Sequence, residues 1–139
     1  MKNGSVILEL QRATHATLHL LGSLLADLGL TPSEINALGN LGRHDSGLTV
    51  SELGAAVGSR PATLTGVLDR LERRGLIARR ARPGDRRSVL VELTPEGSRA
   101  AARIGKTLAQ LEKKALASLP PESVACALTV LRALTEAGK

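Results

Sequence analysis

Apolar positions recur at helical spacing along most of the chain, and punctuation residues cut them into segments. Ile7, Leu10, Leu18, Leu21, Leu25 and Leu28, with Thr14 in register, predict a long helix over residues 6–28, stopped by Gly29. Thr31-Pro32-Ser33-Glu34 then supplies an N-cap, a proline at the first helical position and a capping-box glutamate. Ile35, Leu38 and Leu41 carry that second helix inward as far as about His44.

Thr49-Val50-Ser51-Glu52 repeats the capping-box pattern and opens a short helix through Leu53, Ala56 and Val57. Gly58 breaks it, and Ser59 is placed to cap a fourth helix running from Arg60 to about Arg74. Leu64, Val67, Leu68 and Leu71 form its apolar stripe. Its other face carries Ala62, Thr63, Gly66, Asp69, Arg70 and Arg73, and Gly75 stops it. Two short helices joined by a tight glycine turn match a helix-turn-helix.

The period then changes. Ile77–Ala81 and Ser88–Leu93 suit strands, and Pro83-Gly84-Asp85 between them is a turn signal, so the segment reads as a hairpin with an arginine-rich tip. Thr94-Pro95 opens a fifth helix to about Ser118, with Ala101, Ile104, Leu108, Leu111 and Ala115 inward. Pro120-Pro121 interrupts it, and Val124, Leu128, Leu131 and Leu134 define a last one. The expected fold class is mainly α with a small β-hairpin wing. No repeat, low-complexity tract or flexible linker divides the 139 residues.

Composition narrows the chemistry. Phe, Trp and Tyr are all absent, so the core is aliphatic and the stacking platforms that hold single-stranded nucleic acid are missing. No apolar run reaches membrane-spanning length, and no secretory leader pattern opens the chain, so a cytoplasmic location is expected, with no membrane partner. The single cysteine, Cys126, can form neither an internal disulfide nor a CxxC metal site. The net charge of +6 is localised: between Arg60 and Arg87 stand nine arginines against three acids, while the rest of the chain balances to zero. A single-sign patch of this sharpness is the footprint of a polyanion binder. No GxSxG, phosphate loop or HExxH occurs, so catalysis is not expected, and no cofactor is implied.

A helix-turn-helix followed by a basic hairpin is a winged helix-turn-helix. A helix fits the major groove of B-form DNA, where base edges are distinguishable, and an arginine on a hairpin can enter the narrow, electronegative minor groove. At Leu48-Thr49-Val50-Ser51-Glu52-Leu53, Arg60-Pro61-Ala62-Thr63-Leu64-Thr65 through Leu68-Asp69-Arg70-Leu71-Glu72-Arg73-Arg74-Gly75-Leu76-Ile77, and Gly84-Asp85-Arg86-Arg87-Ser88 into Leu93-Thr94-Pro95-Glu96-Gly97, the sequence resembles the MarR (multiple antibiotic resistance regulator) family over essentially its whole length.

The resemblance implies a single domain over 1–139, with residues 1–30 and 95–139 as dimerisation helices and 31–94 as the DNA-binding lobe. It implies a homodimer on a pseudo-palindromic operator in double-stranded DNA, acting as a transcriptional repressor released by a small-molecule effector. Two long apolar-striped helices at opposite ends of so short a chain also ask for a two-fold partner to cover them. The expected DNA contacts are Ser59, Arg60, Pro61, Ala62, Thr63 and Thr65 at the start of the recognition helix, Arg70 and Arg73 on the phosphates or in packing, and Asp85, Arg86 and Arg87 at the wing. Arg87 matches the family's wing arginine, with Asp85 expected to orient its guanidinium. Arg74 is expected on phosphate or in packing. Of Arg79 and Arg80, on opposite faces of a strand, at most one is expected to face DNA.

Three further readings stay open. His15 and His19, one turn apart on the first helix, could with Arg43 contact a ligand between the first, second and fifth helices. With His44 they are candidates for zinc, although the family's metal sensors use further ligands on the helix after the wing, where this chain has no His or Cys. The same arginines would also serve a non-specific architectural DNA-binding protein. Cys126 is expected to be a small buried apolar residue, although it lies on a different face from Val124, Leu128 and Leu131.

Overall fold

The computed structural model describes residues 4–139. Helix α1 spans Val6–Leu24, and a 3-10 turn, Ala26–Leu28, leads to α2, Pro32–Leu41. Strand β1, Leu48–Thr49, runs directly into α3, Val50–Val57, which is followed by α4, Pro61–Arg73. Strands β2, Ile77–Arg82, and β3, Asp85–Leu93, form the hairpin, and α5, Pro95–Ala115, and α6, Pro121–Ala137, complete the chain.

Both capping boxes form. Thr31 Oγ1 accepts from the Glu34 amide at 3.2 Å, and Glu34 Oε1 accepts from the Thr31 amide at 2.8 Å. Thr49 and Glu52 exchange the same pair of bonds at 3.0 and 2.9 Å. Each box satisfies two amides that a helix start would otherwise leave unpaired. Gly58, at φ 70°, makes the left-handed turn between α3 and α4.

The core is the aliphatic one expected. Leu38, Leu41, Leu53, Leu64, Leu68, Leu71, Val91 and Ile104 are fully buried, drawn from α2, α3, α4, β3 and α5. The sheet is antiparallel in the order β1-β3-β2, so the hairpin gains a third strand through Leu48 opposite Val91. Thr94 locks the hairpin to α5. Its amide donates to the Leu76 carbonyl at 3.1 Å, and its hydroxyl donates to the Gly75 carbonyl at 2.6 Å while accepting from the Gly97 amide at 3.0 Å. Gly97 is required there, because a β-carbon would overlap the Leu76 carbonyl.

Helices α1 and α6 contain no buried residue. Val6, Ile7, Leu8, Leu18, Leu20 and Leu24 of α1 and Leu128, Val130 and Leu131 of α6 are exposed.

Several expected boundaries move. The first helix ends at Leu24 and not Leu28, because Leu25 leaves helical geometry at φ −112° and ψ 18° and drops into the core. The second helix ends at Leu41, and His44 lies in the turn beyond, its amide donating to the Leu41 carbonyl. The fifth stops at Ala115, with Leu116 as its cap. Ser59 does not cap α4. Arg60 occupies the N-cap position, and no side chain bonds to the first turn. Cys126 is exposed and not buried as expected, on a helix that buries none of its residues among those described.

Candidate nucleic-acid interface

The buried stripe of α4 fixes what its other face presents. With Leu64, Val67, Leu68 and Leu71 turned inward, Pro61, Ala62, Thr63, Thr65, Arg70 and Arg73 are exposed. The Thr65 hydroxyl is engaged, donating to the Pro61 carbonyl at 2.9 Å. The Thr63 hydroxyl makes no hydrogen bond among the described residues, so both its donor and its acceptor are free. Proline at the first position gives up no hydrogen bond that the helix could use. The uncapped first turn leaves amides pointing outward, the arrangement that attracts phosphate.

At the wing, Asp85 Oδ1 accepts from the backbone amide of Arg87 at 3.0 Å. The expected contact to the Arg87 guanidinium is therefore replaced by one that shapes the turn and leaves the guanidinium free. Arg82, Arg86 and Arg87 are exposed and have no ion pair among the described residues.

Three arginines of the basic segment serve the fold instead. Arg79 Nη2 lies 2.7 Å from Asp69 Oδ1 and 2.9 Å from Glu72 Oε1, tying β2 to the exposed side of α4. These bonds raise the Arg79 pKa, Glu72 first and Asp69 second, and the Arg79 bond in turn lowers that of Glu72. Arg80 pairs with Glu92 across the hairpin at 2.5 Å. Both guanidiniums are thus taken up by carboxylates of the fold. Arg74 Nη1 donates to the Gly29 carbonyl at 2.8 Å, and its Nη2 donates to the Leu28 carbonyl at 2.9 Å. The positive charge left unpaired concentrates on Arg60, Arg70, Arg73, Arg82, Arg86 and Arg87, along α4 and the wing.

These two elements meet. Ser59, Arg60 and Pro61 at the start of α4 line one cleft of about 880 Å³ with Arg87 and Ser88 of the wing, and the end of α6 borders it through Leu134 and Thr135. A second cavity of about 540 Å³ lies between α1, α2 and α5. Leu18, Leu21, Leu30, Ile35 and Leu108 form its apolar wall, and Asn36, Asn40 and Arg43 its polar edge. Arg43 thus stands where a ligand contact was expected. His15 and His19 are exposed on α1 and do not line the cavity, and His44 lines a different cleft with Asp45, Arg80 and Glu92. No group of three or more His, Cys, Asp or Glu side chains that could hold a metal ion occurs among the described residues. No described helix is long and apolar enough to cross a membrane.

A helix-turn-helix, a β-hairpin wing pinned to its second helix, and long flanking helices define a winged helix protein. The sequence profile of the MarR family matches residues 28–88, which hold the whole helix-turn-helix and the wing tip. The chain is 41% identical over 69 residues to the HTH-type transcriptional repressor MdtR of Bacillus subtilis, covering 50% of this chain and 44% of that one. The aligned segments span about half the length of the curated relatives. The structure superposes on the PcaV transcriptional regulator of Streptomyces coelicolor, in complex with its natural ligand, with a TM-score of 0.74, 27% identity and full coverage of both chains. It superposes on the S. aureus MepR–DNA complex with a TM-score of 0.81 and 20% identity, over 99% of this chain and 100% of that one. Over residues 28–88 the chain is similar to the MarR family, and over its whole length it shares the fold of the PcaV regulator.

Proposed function

We propose that this chain is a sequence-specific DNA-binding transcriptional regulator that works as a homodimer on an inverted-repeat duplex. The observation that carries this reading is the unpaired set along α4 and the wing. Thr63 keeps both hydrogen-bonding functions free on a helix face that fits a major groove, and Arg86 and Arg87 stand free beside it, where a minor groove would run. Phosphates would be met by Arg70, Arg73 and the first turn of α4, with Ser59, Arg60, Pro61, Ala62 and Thr65 around it. Asp85 acts on the wing turn and not on DNA.

The homodimer follows from burial. The exposed leucines, valines and isoleucine of α1 and α6 form two apolar faces that the chain's own core does not use, and a second copy covers both. The division into dimerisation helices (1–30 and 95–139) and a DNA-binding lobe (31–94) belongs to the same reading.

We further propose that the regulator represses and is released by a small molecule in the cavity between α1, α2 and α5. An apolar wall with a single guanidinium at its edge suits an apolar ring bearing one carboxylate. The liganded PcaV neighbour supports this class of control. Zinc control has less support, since the three histidines do not converge.

Selection of duplexes from a randomised pool tests the reading. The expected result is enrichment of an inverted repeat with half-sites about one helical turn apart, bound by a dimer. Uniform recovery of all sequences would favour the architectural alternative. Benzoate titration tests the cavity: wild type binds it and releases the selected duplex, and Arg43→Met does neither. Benzoate binding that is unchanged in Arg43→Met would place the ligand elsewhere.

A further inference from the structure

We infer that Arg74 is a positioning residue for the recognition helix, and that the linker Asp27–Gly29 is the joint through which the flanking helices set the angle of α4. The inference rests on α4 being the helix that reads DNA.

Two side chains from distant elements converge on this three-residue linker. Arg74 follows the last residue of α4 and holds the Gly29 and Leu28 carbonyls with two separate nitrogens, at 2.8 and 2.9 Å. Arg103, in α5, grips Asp27 with both terminal nitrogens of its guanidinium, Nη2 lying 2.6 Å from Asp27 Oδ1. The linker overlaps a 3-10 turn, Ala26–Leu28, ended by Gly29 at φ 62°, with Leu25 buried just before it. Arg103 makes no hydrogen bond or ion pair with α4 among the described residues, so beside the Thr94 bonds to Gly75 and Leu76 the Arg103–Asp27 pair gives α5 a second route to the end of α4, through the linker. Arg74 is also the one arginine of the basic segment whose guanidinium bonds only to backbone carbonyls outside that segment. A planar fork spanning two carbonyls is a geometry that lysine cannot reproduce.

The start of α4, where Thr63 stands, has no side-chain cap, while Leu64, Val67, Leu68 and Leu71 seat the helix in the core. A shift of the linker therefore moves α4 as a body with the core it packs on, and Thr63 with it.

The test compares wild type, Arg74→Met, Arg74→Lys and Arg103→Met, all as the full chain, on the selected duplex and on random duplex at three salt concentrations. Both Arg74 variants are expected to lose affinity for the selected duplex, by about fivefold or more for the loss of two hydrogen bonds. Random-duplex affinity and the salt slope should stay at wild-type values. A phosphate contact at Arg74 would instead weaken both duplexes, flatten the salt slope and be rescued by lysine, and that result overturns the inference. Amide exchange without DNA gives the second readout. Arg103→Met is expected to speed exchange in residues 70–74, with which Arg103 makes no hydrogen bond or ion pair among the described residues. Unchanged exchange there, with the chain folded by circular dichroism, also overturns the joint. If wild type shows no preference for any duplex, the DNA-reading assignment fails, while the exchange measurement still reports on the joint.

Discussion

Single side chains divide the basic segment into two jobs, and the division is set by where carboxylates and carbonyls lie. Arg74, Arg79 and Arg80 are held by partners within the fold, and Arg60, Arg70, Arg82, Arg86 and Arg87 are not. The sequence shows the cluster but not the split. Asp69 and Glu72 lie ten and seven positions before Arg79, and the Arg74 partners are carbonyls 45 and 46 positions away, which leave no trace in side-chain identity. The carboxylates carry a pH signature. The Arg103 bond lowers the Asp27 pKa from its ordinary 3.8; the Thr49 amide lowers that of Glu52, and the Arg79 bond that of Glu72, both from an ordinary 4.5. A folded pKa below the unfolded one gives stability that is present above the ordinary value and lost as pH falls through the folded value. Melting temperature should therefore hold steady from pH 7 to about 5 and fall below about 4.5. Asp27→Asn and Glu72→Gln should each flatten the fall and lower stability at neutral pH. A wild-type melting temperature that stays constant down to pH 3 would show that these bonds do not form in solution.

At the scale of elements, capping and periodicity made most of the fold readable. Thr31-Pro32-Ser33-Glu34 and Thr49-Val50-Ser51-Glu52 announce α2 and α3 because a capping box is a local bargain between four consecutive residues. Thr49→Ala should cost about 1 kcal/mol by chemical denaturation, the usual loss for an N-cap. Strand β1 was not readable: it is two residues long, and its second residue, Thr49, is also the cap of α3. Its partner is β3, some forty positions on, so only tertiary structure creates it. The Leu93-Thr94-Pro95-Glu96-Gly97 junction showed as a motif, but its reason appears only in three dimensions, where Thr94 bonds both Gly75 and Leu76 and Gly97 lies against the Leu76 carbonyl. Gly97→Ala should therefore destabilise by about 1–3 kcal/mol, as forced overpacking does. A neutral effect would mean that α5 sits further from the wing base than described. The cavity was the least legible feature. Its walls come from α1, α2, α5 and the linker; the sequence marked Leu18, Leu21, Ile35 and Leu108 only as inward helix positions, and Arg43 alone among the lining residues as a ligand contact.

At the scale of the whole molecule, the outer helices and the DNA-reading lobe solve separate problems. In the proposed dimer α1 and α6 give their exposed leucines to a second copy, so removing residues 120–139 should abolish the dimer in sedimentation while wild type sediments as twice the chain mass. A truncated chain that stays folded and dimeric would move the interface off α6. That dimer would present two copies of α4 and two wings to one duplex, each with a distinct thermodynamic mark. The most direct test of that arrangement is the binding of wild type, Arg87→Ala and Thr63→Val to the selected duplex and to random duplex at three salt concentrations. Arg87→Ala should lose on the order of 1–3 kcal/mol per half-site on both duplexes and flatten the salt dependence, since a cation leaves the groove. Thr63→Val keeps its shape and loses one hydroxyl, so it should weaken the selected duplex alone and keep the wild-type salt slope. An unchanged salt slope in Arg87→Ala, or equal loss on both duplexes in Thr63→Val, would contradict the placement of the wing in the minor groove and of α4 in the major groove.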